Sequence, residues 1–333
     1  MEIAVLGGTR FIGASVVRLL AEHGHAVTVV HRGETEGDLP AAVRHVHVAF
    51  ADLPDELSQL RFGPLDVVLD MVPYLDKGGH GVVRFAGVTD RAVVITSCDV
   101  YRAFGRLWRS EPGRPDPVPL TEESPLRSLP APDMGSEEIE YDNVEVERAA
   151  ADAALPVTVL RLPATHGPSD PQHRLFRYLQ RMDDRRPAIV LEERHASWRW
   201  TRGYVDNVAA AIALAVEDER AAGRVYNVGD PTAYTEAEWI RRIGEAVGWE
   251  GEVVAIPDDD LPERLRRPYD YAQDFVVDST RIRRELGYRE AVEEATALER
   301  TIEWERYNPP VGPAPDYAAE DEATAAYLRS RSR

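Results

Sequence analysis

The chain has 333 residues, 44 % of them apolar and 29 % charged, which suits one large domain or two intimate ones with a sizeable core. Its formal net charge of −19, with Lys77 as the only lysine, argues against a nucleic-acid partner. A single cysteine, Cys98, allows no intrachain disulfide and fits a reducing cytoplasm, and the longest apolar stretch, 208–216, is too short to span a bilayer.

Residues 2–6 read as a buried strand, 12–23 as a helix and 26–30 as a second strand. Strand, glycine turn, helix and strand within about thirty residues predict a βαβ unit and a parallel sheet. Further strands are expected at 43–48, 66–70, 92–96, 157–160 and 225–228, and a helix over 136–154. Their near-continuous β-branched runs imply strands covered on both faces. The proline-rich stretch 104–133 reads as a surface loop bordering a ligand site. Helices at 207–216, with Asp206 as its cap, and at 236–247 and 279–286 follow, and 308–333 reads as a tail or swapped arm. The fold class is α/β: a Rossmann-like, doubly wound parallel sheet with a smaller C-terminal α/β substrate-binding region. Residues 1–165 form the dinucleotide-binding part, with 204–230 returning to it, and 166–203 and 231–307 form the substrate-binding region.

The turn Gly7-Gly8-Thr9-Arg10-Phe11-Ile12-Gly13 joins the first strand to the first helix. Glycine allows backbone to approach phosphate closely, and the helix N-terminus then offers free N–H groups to a pyrophosphate. Gly7, Thr9, Arg10, Phe11, Ile12 and Gly13 are therefore candidate cofactor contacts. Arg10 fills the middle glycine position of the fingerprint. The second strand ends in His31-Arg32, both candidate cofactor contacts, rather than the acidic residue that holds the ribose 2′-OH of NAD. Arg10 and Arg32 together suit a 2′-phosphate, so NAD(P) is expected, with NADP slightly favoured; Glu34 nearby keeps NAD open.

Ordered segments extend this pattern: ADL at 51–53, DVVLD at 66–70, ITSCDVY at 95–101, Tyr141 opening a helix, LRLPATHGP at 160–168, RGYVDNVAAA at 202–211, YNVG at 226–229 and DSTRIRRELGY at 278–288. With GGTRFIG they make the chain resemble the extended short-chain dehydrogenase/reductase family, in its NAD-dependent epimerase/dehydratase group. The resemblance implies that Asp52 and Leu53 flank the adenine, that Asp70 and Met71 pass the nicotinamide ribose, and that Pro163 meets the nicotinamide. It implies Ser97 and Tyr141 as catalytic residues, a nucleotide-sugar or similar polar substrate, and a homodimer built on the helix that bears Tyr141. Residue 145, four after the tyrosine, is glutamate where the family has lysine. A carboxylate there raises a tyrosine pKa. Three readings stay open: a cation from elsewhere, Lys77 or an arginine; a neutral tyrosine or Glu145 itself as the proton-transfer group; or a cofactor-binding regulatory or sensor protein without redox turnover.

Asp99, His166, Arg199 and Arg202 are candidate substrate contacts. Asp99 echoes an acidic pair in sugar dehydratases, His166 stands in the family's Tyr-Gly-Pro position, and an arginine near 199–202 would hold a substrate diphosphate. Each also has a structural reading: a loop-capping aspartate, a packed loop histidine, and a cation–π cluster around Trp198 and Trp200. His45 and His47 alternate on a strand, and no spacing in the chain matches zinc or iron ligands.

Overall fold

The computed structural model describes residues 1–48, 63–73, 87–129 and 142–331. Its centre is a seven-stranded sheet ordered β10-β6-β5-β4-β1-β2-β3, with every pairing parallel. The strands are β1 (Glu2–Leu6), β2 (Ala26–His31), β3 (Arg44–His47), β4 (Val67–Asp70), β5 (Ala92–Ser97), β6 (Val157–Leu162) and β10 (Val225–Asn227). The order reverses beside β1, so the carboxyl ends of β1 and β4 flank the crevice where ligands bind in open parallel sheets.

Helix α1 (Phe11–Glu22) lies on one face and turns Val16, Val17 and Leu20 into the sheet. It packs against α6 (Val205–Glu217), whose alanine-rich inner face allows close approach. Each fully buried aliphatic side chain in this interface contributes about 1.5–3 kcal/mol. Helix α3 (Asn143–Ala151) covers β5 and β6 on the other face through Val146 and Ala150. Asp206 does not cap α6. Tyr204 holds the N-cap position, and Asp206 sits in the first turn, where its charge still meets the helix dipole favourably.

A second unit follows β7 (Ala164–His166) and β9 (Arg202–Tyr204), which pair with each other. There β8 (Ala188–Glu192) pairs in parallel with β11 (Glu252–Ile256). Helices α4 (Phe176–Asp183), α5 (Glu193–Ser197), α7 (Glu236–Val247) and α9 (Glu294–Tyr307) bury Leu179, Trp239, Ile240 and Ile302 around that ribbon. Helix α8 (Thr280–Leu286) returns Ile282 and Leu286 to the main core.

Two segments differ from expectation. The stretch after residue 316 forms α10 (Tyr317–Arg331), which packs on β8 and β11 of its own chain through Ala323 and pairs Glu320 with Arg181. Ala319 and Ala323 are buried on this inner face. The proline-rich stretch is not a simple surface loop. It contains α2 (Arg102–Leu107), buries Leu120, and satisfies its own amides on buried carboxylates: Glu111 accepts from the Ser128 and Leu129 N–H groups at 2.6 and 3.0 Å. Among the described residues, no helix is long and apolar enough to cross a membrane.

Candidate functional site

The glycine turn occupies the carboxyl end of β1. Gly7 and Gly8 have φ of 79° and 92°, a region L side chains rarely adopt. A Cβ on Gly13 would stand 2.6 Å from the Gly8 Cα, so α1 leaves the turn with no room for a methyl between them. Arg10 holds the N-cap position in extended conformation, without a side-chain cap bond. The helix's first-turn amides therefore remain available to an anion, with the positive dipole end behind them. Phe11, at φ 42°, is held in a strained conformation and packs against the cluster of Tyr204, Val205 and Ala297.

The loop after β2 leans on this turn. Thr35 Oγ1 lies 3.1 Å from Thr9 Oγ1 and accepts from Arg10 Nε at 3.3 Å. Arg32 is exposed and donates to Glu34 at 2.8 Å. His31 is buried, and burial, then His47, holds its pKa below the usual value. Asp70 ends β4 buried beside the turn, with Met71 and Val72 against Gly7. Burial raises its carboxyl to about 7, while the Val72 N–H, 3.0 Å away, pulls in the opposite direction.

At the end of β5, Ser97 Oγ accepts the Asp99 N–H at 3.2 Å and caps a single 3-10 turn. The Asp99 carboxylate faces α3, where Asn143 Nδ2 lies 2.8 and 2.9 Å from its two oxygens. Burial raises Asp99 to about 6, against the hydrogen bond from Asn143 and the charge of Arg127. The Arg127 guanidinium is fully buried. It donates to Asp142 Oδ1 at 2.9 Å and to the Asp99 carbonyl at 2.5 Å, and stands 3.9 Å from the Asp99 carboxylate. Cys98 is buried, its thiol pushed up by desolvation, as expected of a small core filler.

Helix α3 sorts its acidic residues by face. Glu145 is about half exposed and pairs with Arg148. Glu147 is buried and takes Arg161 in a two-bond fork, at 2.8 and 2.6 Å, with Thr96 Oγ1 at 3.0 Å. The α3 side chain that reaches Asp99, just past β5, is Asn143, not Glu145. Beyond β6, Pro163 packs against Gly203.

The other substrate candidates have structural partners. His166 is buried with Nδ1 3.2 Å from Thr301 Oγ1 and its ring against Tyr204 and Trp239. Burial, then Arg202 and Arg174, lowers its pKa to about 3, so it is neutral. Arg202 is buried, pairs with Glu236 and lies 4.9 Å from the Trp239 ring centre. Glu236 also takes Arg177 and Tyr178. Arg199 is half exposed, with Asp274 at 2.6 Å. Asp52, Leu53, Tyr141 and Lys77 lie outside the described residues. A cleft of about 1020 Å³ runs from Thr9, Arg10 and Phe11 across to Asp170, His173 and Trp304. It adjoins the glycine turn but not Ser97 or Asp99.

The geometry also shows what spacing concealed. The parallel β2–β3 register sets His31 opposite His47, with His45 on the same side two residues before it, and the intervening loop delivers Glu36. Four possible metal ligands thus converge although no sequence pattern announces them. Arg127 and Asn143 were likewise unmarked. Only the Asp142-Asn143 pair, a typical helix start, hinted at a cap there.

The family model described as the NAD dependent epimerase/dehydratase family matches residues 3–74 and 142–229. Across those two segments the chain is similar to this family. A 2'-dehydrokanamycin reductase from Streptomyces kanamyceticus is 24 % identical over 80 % of this chain and 72 % of its own. A dTDP-glucose 4,6-dehydratase from Streptomyces niveus is 28 % identical over 92 % of this chain and 94 % of its own. Among solved structures, a dTDP-glucose 4,6-dehydratase from Streptomyces venezuelae with NAD bound superposes with a TM-score of 0.65. It is 21 % identical and covers 92 % of this chain and 98 % of its own, a likeness of fold. The Rossmann-like class expected from the strand pattern is the class observed.

Proposed function

We propose that this protein is an NAD(P)-dependent epimerase, dehydratase or reductase acting on a nucleotide-sugar or a similarly polar small molecule. One observation carries the reading: half-buried Ser97 and Asp99 and buried Asn143 form a hydrogen-bonded group at the carboxyl end of β5, on the sheet edge that also carries the open glycine turn. The first-turn amides of α1, held close to the turn by the tight Gly8–Gly13 contact, suit a pyrophosphate. A nicotinamide cofactor bound there supplies hydride transfer. The kinship with reductases and dehydratases of sugar-containing substrates supports the substrate class.

In this reading Asp99 is the proton-transfer group beside Ser97, because a carboxyl raised to about 6 exchanges protons near neutrality. Arg127 is the cation of the site. It fixes Asp142, the neighbour of Tyr141 in the chain, and the Asp99 carbonyl. Tyr141 remains the proposed hydroxyl acid. Arg10 and Arg32, both at the adenosine end and both exposed, favour NADP over NAD.

Cofactor absorbance and product chromatography with UDP- and dTDP-sugars test the proposal. Turnover is expected, with a loss of about 10²-fold or more in Asp99→Asn, the scale of general acid–base catalysis. Unchanged turnover in both Asp99→Asn and Tyr141→Phe would remove these assignments. A second reading, a cofactor-binding sensor without turnover, is motivated by Glu145 in the family's lysine position, where its side chain pairs with exposed Arg148. Tight cofactor binding without conversion by any substrate would select it. Calorimetric titration with both cofactors tests the NADP preference, which tighter NAD binding would overturn.

A further inference from the structure

Away from Ser97 and Asp99, the richest cluster of ligating side chains in the described residues lies at the carboxyl ends of β2 and β3. His31, Glu36, His45 and His47 each bring one ligand atom, and these atoms all lie within 4.8 Å of one another. His45 Nδ1 is 3.1 Å from Glu36 Oε2, His47 Nε2 is 2.9 Å from Glu36 Oε1, and His31 Nε2 is 3.0 Å from His45 Nδ1. The fourth separation, His31 Nε2 to Glu36 Oε2, is 3.9 Å. Metal–ligand bonds of ~2.0–2.1 Å in tetrahedral geometry put neighbouring donor atoms ~3.2–3.4 Å apart. With Glu36 Oε2 as the carboxylate donor, two of these separations, 3.1 and 3.0 Å, lie within a few tenths of an ångström of that arrangement, and His47 meets the other oxygen of the same carboxylate.

We propose that His45, His47 and Glu36, with His31 as the fourth ligand, form a binding site for a divalent transition-metal ion of the zinc class. Three imidazole nitrogens and one carboxylate oxygen are the donor set such ions prefer over magnesium or calcium. The site is accessible: His47 and Glu36 are half exposed, while His31 forms its buried floor. His31 Nδ1 lies 3.2 Å from the Gly33 N–H. Coordination through Nε2 places the ring proton on Nδ1, so that amide must turn away, and His31 is the weakest of the four ligands.

The ion would fasten the loop between β2 and β3. Gly33 packs against the His47 ring, and Gly37, at φ 70°, lies so close to the Thr9 carbonyl oxygen that a Cβ would stand 2.7 Å from it. Glu36 stands between these two contacts in the chain, so a metal ion bound there ties the loop that supports the glycine turn to the edge of the sheet. The proposal stands on the cluster alone and does not require that the protein turn over a nucleotide-sugar.

A smaller group, His23, His25 and Glu217, must be kept apart from it. There both rings meet one oxygen, Glu217 Oε1, at 2.6 and 2.9 Å. The test therefore uses tag-free full chain carrying His23→Ala, stripped with chelator and titrated calorimetrically with Zn²⁺ alone. One equivalent is expected, with affinity falling at least about 100-fold in Glu36→Gln and in His45→Ala/His47→Ala, since even outer-shell changes cost 10–100-fold. Co²⁺ in the His23→Ala chain should give the visible band of a four-coordinate ion, an observation independent of how the ligand variants fold. Absence of a stoichiometric site, or equal affinity in folded ligand variants, would overturn the proposal.

Discussion

Replacing Gly13 by alanine tests whether the glycine turn holds a dinucleotide. The added Cβ would meet the Gly8 Cα at 2.6 Å and the Gly8 N at 3.1 Å. Ordinary carbon contacts lie at ~3.5–4.0 Å, so turn and helix must separate by about 1 Å. Both clashing atoms are backbone, so no rotamer change relieves them. A shift of that size carries first-turn amides out of hydrogen-bond range of a phosphate. Charge-assisted bonds contribute ~1.5–3 kcal/mol each, so losing one or two weakens binding by about 2–4 kcal/mol. At 1.4 kcal/mol per factor of ten, Kd rises roughly 30- to 700-fold. The strain itself costs the fold ~1–3 kcal/mol, which leaves most domains folded. Calorimetry with NAD and NADP, beside circular dichroism to verify folding, measures the effect. A folded Gly13→Ala protein with Kd within threefold of the parent would refute the placement of the pyrophosphate.

Three further outcomes follow from the same geometry. Glu147→Ala strands the buried Arg161 charge and should cost about 3–5 kcal/mol in urea unfolding, whereas Glu145→Ala, at an exposed pair, should stay within about 1 kcal/mol. Comparable losses in the two variants would contradict the face assignment of α3. Asp70 has its folded pKa raised from 3.8 to about 7, so its neutral form supports the fold fully below the unfolded pKa, and that support is lost as pH rises through the folded one. Asp70→Asn, which keeps an acceptor for the Val72 N–H, should therefore stabilise by about 2–4 kcal/mol at pH 8 and by less than half of that at pH 5, read from denaturation midpoints. Arg202→Met leaves Glu236 with Arg177 as its remaining arginine partner and should destabilise by about 2–4 kcal/mol. A raised KM with unchanged stability would restore Arg202 as a substrate ligand.

The sequence alone was enough for the architecture because its signals are local. The β-branched runs of β1, β4, β5 and β6 and the glycine turn before α1 read directly as buried parallel strands and a phosphate loop. Chain patterning could not say which face a residue shares with a distant one. Glu145, expected beside the catalytic tyrosine, points outward to Arg148, and Asn143, two residues earlier, reaches Asp99. That difference is about 200° of helix rotation at 3.6 residues per turn, and it depends on where α3 docks on β5. Arg127 enters the site from the proline-rich stretch, whose inward course follows from tertiary burial of Glu111 and Asp116. The histidines of β2 and β3 converge because the parallel register aligns His31 with His47 across a connection that is irregular in sequence. Local propensity wrote the strands and the turn; the docking of helices and the register of strands, both set by packing between residues far apart in the chain, decided which side chains meet.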